Sequence, residues 1–116
     1  MISTRLMLFA VIVKGCDRVL EKDIVSAIMR YLKTEADCFC WKQHGSQFGT
    51  AGLPDIIVCF KGLFLALEVK RPGGKLTKLQ EVTLNRIKDA EGHAYKVTSC
   101  DEVKEILKNI KDGLGE

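Results

Sequence analysis

Residues 52–70 read GLPDIIVCFKGLFLALEVK, and the rest of the chain is organised around them. Ile56–Phe60 and Leu63–Val69 are two hydrophobic runs joined by Lys61-Gly62. Runs this short and this apolar are expected as strands buried on both faces. The Lys-Gly linker has the length of a β-hairpin turn. Charge appears only at one end of the pair, with Asp55 before the first strand and Glu68 and Lys70 at the close of the second. Side chains alternate along a strand, so Glu68 and Lys70 share a face and Val69 takes the other. An unpaired buried carboxylate is costly, so these acids need a partner, for which a metal ion is suited.

Upstream, Leu20, Ile24, Ile28, Tyr31 and Leu32 recur at helical spacing and predict a helix from Asp17 to about Lys33. With Leu20 at zero and about 100° per residue, the apolar arc centres near 80° and Glu21 falls near 100°. Glu21 is therefore expected to face inward. The alternative is a first-turn acid favoured by the helix macrodipole. Cys38–Gln43 (CFCWKQ) reads as a strand, and His44–Gly52, with three glycines plus Ser46, Gln47 and Thr50, as a loop. The loop leads directly to Asp55. It either lies against a phosphate backbone, which glycines permit by close approach, or is a plain connection.

Downstream, Arg71-Pro72-Gly73-Gly74-Lys75 ends the second strand, because proline cannot continue a central strand. With Lys70 and Lys78 it forms a local basic patch. A second helix is expected from Thr77 to before Gly92, which is placed as its C-terminal cap. Leu76, Leu79, Thr83, Leu84, Ile87 and Ala90 supply its inward stripe, and Gln80 lies within that stripe. Thr77 and Gln80 also have capping-box spacing, so a capping role and a site-facing role are both open to Gln80. His93–Val97 reads as a short strand. Ser99-Cys100-Asp101-Glu102 reads as a second capping box, opening a helix with Val103, Ile106, Leu107 and Ile110 apolar.

The predicted order is α-β-β-β-α-β-α, an α/β fold. With 116 residues and 47% hydrophobic content, it suits one domain with a core over about residues 17–111. A net charge of +3 permits a nucleic-acid partner without demanding one. Five cysteines without a C-x-x-C argue against a disulfide framework or zinc site and fit a reducing cytoplasm. Leu6–Val13 (LMLFAVIV) is apolar but too short for a membrane span. No small-residue cleavage pattern follows it. It is expected as an extra strand or a leader outside the fold, so no membrane partner is predicted.

Asp55, Glu68 and Glu21 offer hard oxygen ligands of the type Mg²⁺ or Mn²⁺ prefers, and the backbone carbonyl of Val69 can complete the shell. Lys70 can orient a water or neutralise developing phosphorane charge. Three acids and a lysine about a metal make phosphodiester hydrolysis the expected reaction class. Lys42, Ser46, Thr50, Arg71, Lys75 and Lys78 are the candidate nucleic-acid contacts. A surface salt-bridge pair is the alternative for Glu68 and Lys70.

These residues resemble the PD-(D/E)XK nuclease superfamily and, more narrowly, its VRR-NUC branch. The matching elements are Glu21-Lys22-Asp23-Ile24, Gly52-Leu53-Pro54-Asp55, Leu67-Glu68-Val69-Lys70, Arg71 through Gln80, and Gly92 before a strand. The resemblance implies a restriction-endonuclease-like core with a central mixed sheet flanked by helices. It implies Asp55 and Glu68 as principal metal ligands, Lys70 as catalytic lysine, Glu21 as an additional acid and Gln80 lining the site. It further implies a homodimer cutting branched DNA such as four-way junctions. A non-cleaving DNA-binding module and a flap, restriction or exonuclease-type enzyme are the competing expectations.

Overall fold

A computed structural model of the protein describes residues 19–44 and 49–114. Helix α1 (Glu21–Leu32) is followed by strands β1 (Cys38–Lys42), β2 (Ile56–Phe60) and β3 (Leu63–Val69). Helix α2 (Lys78–Asp89), strand β4 (His93–Val97) and helix α3 (Cys100–Gly113) complete the order expected from sequence. The strands form one sheet in the order β1-β2-β3-β4. Its first three strands are antiparallel, and β4 runs parallel to β3. The Leu6–Val13 segment lies outside the described residues.

The hairpin forms for a local reason. Phe60 pairs with Leu63, and the intervening Lys61 and Gly62 both have positive φ, 51° and 82°. That conformation matches the right-handed twist of the flanking strands. Lys61 donates its N–H to the Asp37 carbonyl at 2.8 Å and its ammonium to Asp37 Oδ2 at 3.1 Å.

The sheet has unequal faces. Ile56, Val58, Phe60, Leu65, Leu67, Val69 and Val97 point to one side, where they bury against α1 and α3. Each fully buried aliphatic side chain there contributes about 1.5–3 kcal/mol. Ile24, Val25, Ile28 and Leu32 thus hold α1 in place through packing, which exceeds any difference in helix propensity. The other face has a small core of Ala66, Leu84 and Ala94, with Ile57, Leu76 and Ile87 against it.

The helix boundaries differ from the expectations for identifiable reasons. Helix α1 begins at Glu21, later than Asp17: Leu20 is its extended N-cap residue and is exposed. On α2 only Leu84 is buried, while Leu79 and Ala90 of the expected stripe are exposed. This helix lies over the alanine-lined part of the sheet, where a narrow contact suffices. Gly92 is not its left-handed cap. Glu91 takes the positive φ of 70°, and its N–H donates to the Lys88 carbonyl at 2.9 Å, while that of Gly92 donates to the Ile87 carbonyl at 2.9 Å. This is a Schellman closure with a glutamate in the usual glycine position. Gly92 serves packing: a Cβ there would lie 2.8 Å from Ile87 Cγ2 and 3.2 Å from Phe64 Cδ1. The second capping box is half formed. Ser99 Oγ accepts from the Glu102 N–H at 3.2 Å, but the Glu102 carboxylate accepts from Thr98 instead of Ser99.

Candidate active site

Strand parity decides where the polar groups meet. In β3 the residues opposite Leu65, Leu67 and Val69 are Phe64, Ala66 and Glu68, so Glu68 stands on the α2 face. It is the one charged residue counted as buried among the described residues, 3% exposed. Asp55, one position before Ile56, falls on the same face. Its Oδ2 accepts the Val69 N–H at 2.8 Å, so the backbone of β3 fixes the carboxylate at the start of β2.

The two acids are close enough to perturb one another. Burial, then a hydrogen bond to Asp55 and the charge of Asp55, push the Glu68 carboxyl up to about 8, against a smaller opposing pull from Lys70. Lys70 Nζ lies 3.9 Å from Glu68 Oε2, with both side chains largely buried. A surface salt bridge is therefore not what this pair forms. The lysine offsets only part of the cost of placing two carboxyls together.

Gln80 fulfils both roles open to it. Its Oε1 accepts from the Thr77 N–H at 2.9 Å and its own N–H donates to Thr77 Oγ1 at 3.2 Å, completing the capping box. The remaining amide nitrogen donates to Glu68 Oε2 at 3.4 Å. The start of α2 thus orients a side chain toward the acid of β3.

Glu21 is placed differently from expectation. It lies three residues before Ile24, four before Val25 and seven before Ile28, so it has the direction of the buried stripe. At the first position of α1, however, the helix has run past its packing surface, and Glu21 is exposed. Its charge still disfavours ionisation of Glu68, as the weakest of the named causes. Among the described residues, no three His, Cys, Asp or Glu side chains gather tightly enough to hold an ion. The close set is Asp55 and Glu68. Two carboxylates still suit Mg²⁺, which commonly takes one or two protein carboxylates and completes its octahedron with waters and phosphate oxygens.

The expected nucleic-acid contacts divide. Arg71 is exposed and, with Val19, Pro72, Gly73 and Gly74, lines a cleft of about 330 Å³ next to Lys70 in sequence. Lys75 and Lys78 are exposed on the approach to α2, and Thr50 is exposed in the loop before Asp55. Lys42 pairs with Ile56 and so belongs to the opposite face, where it lines a groove with Val25, Ser26, Met29, Arg30 and Lys33. Ser46 lies outside the described residues. One neighbour of the acids was not anticipated from sequence. Gln43 donates its N–H to the Asp55 carbonyl at 2.8 Å, which continues the β1–β2 register to the acid itself. The signal for it was parity, legible once β1 is known to pair with β2.

Solved structures share this fold, two among them with a clear likeness to this chain. One, described as a VRR_NUC domain protein, superposes with a TM-score of 0.65 at 16% identity, covering 78% of this chain and 86% of its own. Another, described as a VRR_NUC domain, gives 0.64 at 20% identity, covering 76% and 94%. The chain has the VRR-NUC fold. Neither protein-family models nor curated proteins match its sequence. The VRR-NUC fold accounts for the mixed sheet and for the flanking helices that bring Gln80 and Glu21 toward the end of β3.

Proposed function

We propose that the protein is a metal-dependent DNA endonuclease that hydrolyses phosphodiester bonds at branched sites, four-way junctions among them. The observation that carries this reading is the Asp55–Glu68 pair. A buried carboxyl held beside a second acid, with Lys70 at 3.9 Å, is an arrangement whose cost a divalent ion would relieve. Asp55 and Glu68 would hold Mg²⁺ or Mn²⁺, with the Val69 carbonyl and Glu21 as further ligands, directly or through water. Bound there, the ion would supply positive charge to the phosphodiester and acidify a coordinated water.

The chain's own residues have separate tasks in this reading. The Val69 N–H fixes the Asp55 carboxylate, and Gln80 does the same for Glu68. Lys70 orients the attacking water or neutralises charge developing on the phosphorus oxygens. Arg71, Lys75 and Lys78 contact phosphates flanking the scissile bond and set register without reading sequence. A two-fold dimer, proposed on the resemblance, would present two such sites to symmetry-related strands of a junction.

The test is cleavage of junction, flap, linear duplex and single-stranded DNA, each with and without Mn²⁺. Metal-dependent cutting confined to branched DNA supports the proposal. Failure to cut any substrate at any metal concentration overturns the enzyme reading and leaves a DNA-binding module. Cutting of plain duplex at one short sequence would indicate a restriction-type enzyme. Lys70→Ala should abolish cleavage with thermal stability close to that of the native protein.

A further inference from the structure

We propose that Trp41 and Phe39 form a stacking platform for an unpaired nucleobase next to the scissile phosphate, so that the site engages DNA with a single-stranded segment. This rests on the nuclease reading and names what that site takes hold of. In β1, Phe39 and Trp41 pair with Cys59 and Ile57, which places both rings on the face of the sheet that carries Glu68. On that face α2 packs toward β3 and β4, and Phe39 and Trp41 are left 69% and 45% exposed. Their ring centroids are 5.9 Å apart and tilted by 50°, within the contact range of an aromatic pair.

The platform is joined to the acids by hydrogen bonds. Trp41 Nε1 donates to Gln43 Oε1 at 3.2 Å, and the Gln43 N–H donates to the Asp55 carbonyl at 2.8 Å. The indole is thereby fixed in orientation with its one polar group satisfied. Two residues along a strand span about 7 Å, so the indole stands one such step from the position opposite Asp55. Lys70, Arg71, Lys75 and Lys78 lie at the acid end. Cations that follow a backbone beside aromatic side chains that stack bases are how proteins grip single strands. A second copy of the chain is the competing occupant of exposed aromatic surface. Continuity with the acids favours the nucleotide, since a contact between copies has no need to adjoin Asp55.

Trp41 is the single tryptophan of the sequence, so intrinsic fluorescence reports on this site alone. The metal-free protein would be titrated with a short single-stranded oligothymidylate and with a blunt duplex, while fluorescence anisotropy of labelled DNA reports binding independently. The single strand should quench Trp41 along its anisotropy isotherm, and the duplex should not. Trp41→Ala should weaken single-strand binding by about 5- to 150-fold, the range for loss of one stacked base. Trp41→Phe should retain most of the affinity, and both variants should bind duplex as the native protein does. A melting curve for each variant confirms that it is folded.

Binding of the single strand without quenching, or equal weakening on duplex, overturns the platform and leaves the nuclease reading intact. So does a DNA-free dimer that Trp41→Ala converts to monomer in sedimentation, which assigns the rings to a contact between copies. Absence of binding to every DNA overturns the platform, while the nuclease reading stands or falls on the cleavage assay with Mn²⁺.

Discussion

Replacing Glu68 by glutamine should stabilise the metal-free protein, and by an amount that grows with pH. The Glu68 carboxyl ionises near 4.5 ordinarily and at about 8 in the folded chain, through burial first and Asp55 second. Folding therefore favours the protonated form. Its stabilising contribution is fully present below about pH 4.5, falls as pH rises, and is lost once the pH passes about 8. Between those limits the native state weakens by about 1.4 kcal/mol per pH unit, or about 3 kcal/mol by pH 7. The amide of the Glu68→Gln variant cannot ionise, and its side-chain carbonyl can still accept from Gln80. The pull of Lys70 on the carboxylate is already contained in the value of about 8, so no separate loss of that pairing is subtracted. A net gain of about 3 kcal/mol near pH 7 is expected, shrinking to nothing near pH 4.5.

Urea denaturation of both proteins in EDTA, from about pH 5 to pH 9, measures this gap, since groups remote from Glu68 titrate alike in the two. A gap that does not change with pH would show that Glu68 is already ionised in the folded, metal-free protein, and the reasoning from its burial would fail. Adding Mn²⁺ should narrow the gap from the other side. A ligand at a hundred times its Kd stabilises the native state by about 2.7 kcal/mol, and only the protein with both carboxylates should show that gain in full.

Three further outcomes follow from particular contacts. Glu91→Gly should raise stability by about 1 kcal/mol in thermal or urea denaturation, because a non-glycine residue at φ 70° carries a left-handed strain of about 1–2 kcal/mol. Thr77→Ala should cost about 1 kcal/mol as an N-cap loss and should also lower cleavage, because the Thr77–Gln80 box holds the amide that reaches Glu68; a stability loss with full activity would separate the cap from the site. Glu21→Gln should lower the pH at which the Glu68 contribution fades, read from the same denaturation series, since the Glu21 charge helps to hold Glu68 protonated.

How much of this was legible depends on the kind of signal each residue gives. Hydrophobic runs and turn chemistry are local, so β2, β3 and their Lys61-Gly62 hairpin could be read from residues 52–70 alone. The face shared by Glu68 and Lys70 followed from strand alternation, which is geometry. Glu21 shows where such reasoning runs out. Its angular direction on α1 was readable, but its exposure depends on where the opposing surface stops, and periodicity contains no such information. The same holds for Leu79, whose inward spacing is real but whose partner surface is too narrow to cover it. Gly92 misled for a different reason. A glycine after a helix usually takes the left-handed position, but here the crowding of Ile87 and Phe64 requires glycine one residue later. Gln43 and Trp41 joined the acid face only through the β1–β2 register, a non-local fact.

The unequal faces of the sheet explain how one small fold can hold an expensive acid pair. The face packed by α1 and α3 is lined by aliphatic side chains and Phe60 and holds most of the buried apolar surface. The opposite face has a core of two alanines and Leu84, with room beside it for Asp55, Glu68, Lys70 and Gln80. An uncompensated buried carboxyl costs several kcal/mol, a large share of the roughly 5–15 kcal/mol typical of a domain. Stability and chemistry drawn from the same side chains would be difficult to reconcile at that scale. Strand alternation separates them residue by residue: Leu67 and Val69 anchor β3 to one core while Glu68 between them faces the other side. Glu68 can then be substituted without emptying the main core, which is why Glu68→Gln is expected to gain stability where a core truncation would lose it.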